Sequence, residues 1–160
     1  MQIKFWGVRG SIPSGSKDTA GVGGNTTCAE IRCGDELIII DTGTGVRNLG
    51  MALMKEMPVK GTILFSHVHW DHIQGFPFFG PFFVPGNEFR IFGGTSLPKT
   101  IGEVLDQQMT PPCFPVKTEL FGAKLTYHDV KPGDVIEGNN YKITLASLYH
   151  PNGCYAYRIE

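Results

Sequence analysis

Four potential metal ligands fall within six residues of the heptapeptide Ser66-His67-Val68-His69-Trp70-Asp71-His72, and this stretch restricts the fold more than any other. Ahead of it runs Gly61-Thr62-Ile63-Leu64-Phe65, short, apolar and partly β-branched, which predicts a buried strand. Behind it, Ile73-Gln74-Gly75-Phe76 predicts the first turn of a helix. The ligands therefore belong to a strand-to-helix loop at the rim of a rigid core. On an extended backbone His67 and His69, two apart, project to the same side. Asp71 and His72 lie past the turn and approach from another side. Imidazole and carboxylate suit Zn, Mn or Fe. A polar loop whose histidines cap a helix is the plainer reading; it explains one histidine well and this whole pattern poorly.

A second loop has a similar position. Leu37-Ile38-Ile39-Ile40 is continuous rather than alternating, as in a strand buried on both faces. Asp41-Thr42-Gly43-Thr44-Gly45 follows it and opens a helix predicted from Val46 to about Lys55. The glycines allow a tight turn, and Thr44 is the expected cap. A phosphate cradle at a helix start is another reading, but neither Gly-Lys-Ser/Thr nor Gly-x-Gly-x-x-Gly is present.

The histidine motif resembles the signature of the metallo-β-lactamase superfamily. Phe5-Trp6-Gly7-Val8-Arg9-Gly10-Ser11-Ile12-Pro13, Gly23-Gly24-Asn25-Thr26-Thr27-Cys28, Asp41 to Gly45 and His150-Pro151-Asn152-Gly153 extend the likeness. They resemble the branch that includes the tRNA 3′-processing ribonuclease and phosphodiesterase-like enzymes. The resemblance implies an α/β, four-layer αββα sandwich with a one- or two-metal site between its sheets. It implies His67, His69 and His150 as ligands of a first metal, and Asp71 and His72 as ligands of a second. It gives Asp41 the task of hydrogen-bonding near the histidine loop, where a carboxylate orients ligating imidazoles. Alone, His150 before a proline reads only as a loop residue. The implied metal is zinc, one or two ions, with Mn and Fe suited to the same donors. The implied activity is a metal-dependent hydrolase of phosphodiester bonds, acting through a metal-activated hydroxide that Asp71 orients or deprotonates. The substrate would be a small-molecule or nucleotide phosphodiester. The alternative is a truncated, non-catalytic metal-binding or assembly module on the same fold.

The family pattern continues past its third histidine with a metal-bridging aspartate and a further histidine. Only Pro151 to Glu160 follow His150 here, with no Asp or His among them. Residues 1–160 therefore read as one metallo-β-lactamase-like domain lacking the C-terminal part. That is the expectation for a piece of a longer enzyme, for a chain completed by a second copy, or for an inactive remnant. A half-sandwich exposes apolar sheet surface, so a homo-oligomer is expected.

Composition narrows the rest. With 41% hydrophobic and 18% charged residues the chain can bury a core. Net charge is −1 and no basic run occurs, which gives nucleic-acid binding no support. The four cysteines form no Cys-x-x-Cys pair. The start of the chain lacks an apolar signal core, and no apolar stretch approaches the roughly 20 residues of a membrane span. A cytoplasmic protein with free thiols is expected. Strands are predicted over Gln2 to Gly7, Asn25 to Cys33, Phe89 to Phe92, Lys124 to Val130, Val135-Ile136, Tyr141 to Ser147 and Tyr155 to Ile159. A helix is predicted from Leu97 to about Gln108, with Leu97, Ile101, Val104 and Leu105 on one face. Phe76 to Pro85 is too rich in proline for a long helix. It lines an apolar pocket beside the metals, forms a contact surface, or packs aromatic rings on the core. His128 matches no ligand position.

Overall fold

Leu37 and Ile39 are buried in one apolar core, while Ile38 between them is buried in another. That division explains the unbroken apolar run: the strand carrying it, β3 (Glu36–Ile40), lies inside a sheet covered on both faces. The computed structural model describes residues 1–94 and 97–160. The large sheet has the order β1 (Gln2–Gly7), β2 (Cys28–Cys33), β3, β4 (Lys60–Leu64), β5 (Glu88–Gly93), β6 (Lys124–Asp129). The first three strands pair antiparallel, and β3 to β6 run parallel. Strands β2 and β3 form a hairpin across Gly34-Asp35. A second, antiparallel sheet comprises β7 (Val135–Glu137), β8 (Lys142–Leu148) and β9 (Cys154–Ile159).

On one face of the large sheet, Ile63, Phe65, Phe89 and Ile91 pack against α1 (Gly45–Leu53), the aromatic segment and α3 (Ile101–Gln107). On the other, Ile31, Ile38, Leu64 and Phe92 meet Ile136, Tyr141, Ile143 and Leu145 of the second sheet. Thr62 and Tyr141 bridge the sheets with a buried 2.7 Å hydroxyl pair. The layers are thus helix, sheet, sheet. At the β1 edge, Ile3 and Phe5 are exposed, although Ile31, the partner of Ile3, is buried. All four cysteines are free. No helix among the described residues is long and apolar enough to cross a membrane.

Three expectations need correction. The helix after the histidine loop begins at Trp70, not Ile73, and is a single turn, α2 (Trp70–Ile73), with His69 at its N-cap. Asp71 and His72 therefore sit on helix. Thr44 precedes α1 but its hydroxyl does not cap it. It accepts instead from Thr26 N–H at 2.9 Å, tying the turn to the β2 approach. Leu97 lies outside α3 and is exposed. The helix starts after Thr100, whose hydroxyl accepts from Glu103 N–H while the Glu103 carboxylate accepts from Thr100 N–H. That reciprocal cap fixes the boundary against the weaker periodicity.

The aromatic segment forms two 3-10 turns, Phe76–Phe78 and Gly80–Phe83. Phe76, Phe79 and Phe82 are fully buried and meet edge to face or tilted, with ring centroids 4.7–4.8 Å apart. Packing on the core is its role. His128 stacks on Phe92, away from the other histidines.

Candidate metal centre

The parallel strands β3 and β4 end side by side, and the two loops predicted to matter follow from those ends. Asp41 N–H donates to Leu64 O at 2.9 Å, which holds the first loop against the last residue of β4. Two further backbone bonds strap α2 to it: Thr42 N–H to His72 O and Gly75 N–H to Thr42 O, both 2.8 Å. The approach is close enough that a methyl group at Gly43 would strike Asp71 O and Thr27 O, and one at Gly75 would strike Gly43 O. Glycine is required at both positions for this contact.

His150 arrives from the second sheet. It occupies the tight turn between β8 and β9, closed by Gly153 N–H to His150 O at 3.0 Å, with Asn152 and Gly153 in the left-handed region. Strand β9 is pinned to the histidine loop by Tyr155 N–H to Ser66 O at 2.8 Å and by the Tyr157 hydroxyl to Phe65 O at 2.7 Å. These bonds bring His150 within reach of a loop more than 80 residues earlier.

Ligand nitrogens of His67, His69 and His150 all lie within 4.8 Å of one another. His69 Nδ1 stands 3.0 Å from His67 Nε2 and 3.1 Å from His150 Nε2. A ring nitrogen has one in-plane direction and cannot serve two such neighbours by hydrogen bonding. A cation at the common focus serves all three: metal–nitrogen bonds of about 2.0–2.1 Å in tetrahedral geometry set the nitrogens roughly 3.3 Å apart. The donor set fits a divalent metal with a position left open. Burial, with the charges of His72, His69 and His150 adding to it, pushes His67 down to about 4. At neutral pH its imidazole is therefore uncharged, the form that ligates a cation.

Asp71 and His72 stand beside this cluster. The His67 and His72 rings are 4.0 Å apart at their centroids. His72 Nδ1–H donates to Asp41 Oδ2 at 2.7 Å, leaving Nε2 facing Asp71 Oδ2 at 3.6 Å. Burial draws the His72 imidazole down, but the Asp41 hydrogen bond and the charges of Asp41 and Asp71 outweigh it and raise it. Asp71 Oδ2 accepts from Ser11 N–H at 2.7 Å, so the loop after β1 also reaches the site. Burial opposes ionisation of Asp71, yet that bond and the nearby histidines hold its carboxyl below the usual range. Asp41 contacts the histidine loop through Ser66 and His72. Ser66 is the residue whose part the sequence did not disclose. Its hydroxyl lies 2.8 Å from Asp41 Oδ2, 3.1 Å from His67 Nδ1 and 3.2 Å from His72 Nδ1. Its place directly before the first histidine was the available signal.

The chain resembles a solved structure of the metallo-β-lactamase fold protein YhfI from Bacillus subtilis. The two superpose with a TM-score of 0.66 at 21% identity, over 99% of this chain and 56% of that one. The chain has the metallo-β-lactamase fold. Human tRNase Z, short form, shows the same fold at a TM-score of 0.64 and 16% identity, over 100% of this chain and 65% of that one. By sequence the chain is similar to ribonuclease Z of Methanothermobacter thermautotrophicus, 29% identical over 166 aligned positions. That alignment takes in 100% of this chain and 48% of the relative, so the chain spans about half the length of the curated relatives it matches. No family model matches the chain. Within the metallo-β-lactamase fold, the histidine cluster lies at the C-terminal ends of the parallel strands, where loops converge in open α/β sheets.

Proposed function

We propose that the chain carries the metal centre of a metal-dependent phosphodiester hydrolase. The observation that carries the reading is the convergence of His67, His69 and His150 on one point from two different sheets. Those three imidazoles would hold the cation, with zinc the metal we expect from a nitrogen-only donor set. Bound there, such a cation polarises a phosphoryl oxygen and makes water a nucleophile near neutral pH.

The chain's own residues do the remainder. His72, held by Asp41, offers Nε2 to the space shared with Asp71 and forms with it the start of a second cation position. Asp71, ionised and anchored by Ser11, accepts the proton of the attacking water. Ser66 keeps His67 and Asp41 in register. The likeness to ribonuclease Z supports a nucleotide or RNA phosphodiester as substrate. The absence of a basic run in the sequence favours a short nucleotide over a long nucleic acid.

Turnover of bis(4-nitrophenyl) phosphate after chelation and re-addition of Zn, Mn or Fe tests this. Metal-dependent turnover that disappears in His69→Ala is the expected result. Metal bound tightly without turnover would favour the non-catalytic metal-binding module.

A further inference from the structure

Trp70 and Tyr149 are the two most exposed aromatic side chains among the described residues: Trp70 is 78% exposed and Tyr149 wholly so. Each is the chain neighbour of a cluster histidine, Trp70 following His69 and Tyr149 preceding His150. Neighbouring Cα atoms are about 3.8 Å apart, so both rings are rooted beside the metal ligands. The two histidine rings themselves are 4.9 Å apart at their centroids. In the segment beyond α2, Phe76, Phe79 and Phe82 are buried, and the more exposed Phe78 and Phe83 each pack on another ring, Phe114 and Phe121. Two exposed rings, each rooted next to a histidine of one cluster, are placed to meet a ligand bound there. Neither ring packs on another aromatic, and neither the indole N–H nor the phenol hydroxyl has a hydrogen-bond partner among the described residues.

We propose that Trp70 and Tyr149 form a base-stacking rim around the metal centre, receiving a nucleobase attached to the scissile phosphodiester. This rests on the hydrolase reading above. A planar base offers a π-face to both rings whatever its identity, and stacking of this kind tolerates sequence. The rim therefore selects nucleotides over simple phosphodiesters, rather than one base over another.

The experiment uses fluorescence of Trp70 in a Trp6→Phe background, Trp6 being the only other tryptophan. Adenosine 5′-monophosphate and ribose 5-phosphate are titrated into metal-loaded protein and into chelated protein. Saturable quenching by the nucleotide, little response to the sugar phosphate, and a weakening of at least about fivefold in Tyr149→Ala are expected. Equal responses to both ligands, or none to either, would overturn the rim. If Trp6→Phe does not fold, calorimetry of the same two ligands with the unsubstituted chain and Trp70→Leu gives the same contrast. The two readings fail separately. Base-dependent quenching without diester turnover keeps the rim and removes the hydrolase; turnover without base dependence does the reverse.

Discussion

Asp41 Oδ2 and His72 Nδ1 are 2.7 Å apart, a charge-assisted hydrogen bond between the end of one parallel strand and the single-turn helix beyond the next. The Asp41 carboxylate is nearly fully buried and also accepts from Ser66 N–H at 2.8 Å. Its backbone is left-handed, φ 60°, a region asparagine and aspartate enter more readily than other side chains. One residue thus fixes the tautomer of His72, the entry of the histidine loop and the turn into α1.

Asp41→Ala removes the acceptor from three part-buried donors, Ser66 N–H, the Ser66 hydroxyl and His72 Nδ1–H; a donor left unpaired costs about 1–3 kcal/mol when buried. A loss of roughly 2–4 kcal/mol and a lowered melting temperature are expected, together with metal affinity weakened about 10- to 100-fold. Asp41→Asn, which keeps the backbone preference, should lose less stability. Thermal melts and a chelator competition measure both.

Gly75→Ala places a methyl group against Gly43 O. Helix α2 must then shift, and with it Asp71 and His72. The expected result is a destabilisation of at least about 1–3 kcal/mol and impaired metal binding, although Gly75 touches no ligand. Equilibrium denaturation with a metal titration checks this. Ala at Gly15, where no neighbour lies within 4 Å, serves as the control and should change little.

The fold was legible where one physical signal acted alone. The unbroken run Leu37–Ile40 could only be a strand covered twice, and it is. The His-x-His-x-Asp-His spacing marked a candidate cluster, whereas the part of Asp41 came only from the family resemblance. His150 was different. Nothing local marks a histidine before Pro151, because its place is made by Tyr155 and Tyr157 pinning β9 to a loop far away in sequence. The errors were of the same kind. Thr44 has the chemistry of a cap, but Thr26 took its hydroxyl from across the turn. Leu97 fits the apolar periodicity, but the Thr100–Glu103 cap set the start of α3. Helix α2 begins at Trp70 because backbone bonds from the neighbouring loop hold that turn.

Phe82 is fully buried and its ring meets Phe76, Phe79, Phe89 and Phe121. Phe82→Ala should cost about 3–5 kcal/mol through the cavity it leaves. Its ring touches none of the histidines, so metal affinity of the folded fraction should be unchanged. Denaturant unfolding beside a metal titration separates the two effects.

Alkaline pH should weaken the fold. Burial, with the Asp106 charge added, pushes the Tyr127 phenol up to about 12. Burial likewise raises Tyr157 and Cys28, with Asp41 adding to each. The unfolded chain releases these protons near about pH 8.5 for a thiol and 10 for a phenol. Their contribution is complete below those values and is lost as pH rises through the window above them. Melting temperature should fall steadily from about pH 9 upward, and less steeply in Tyr157→Phe.

The most direct test is anomalous scattering from a crystal of the zinc-loaded chain. The account predicts one strong peak within about 2.0–2.2 Å of His67 Nε2, His69 Nδ1 and His150 Nε2, lost in His150→Ala. Zinc bound elsewhere, or His150 turned away from the other two imidazoles in the loaded crystal, would contradict it.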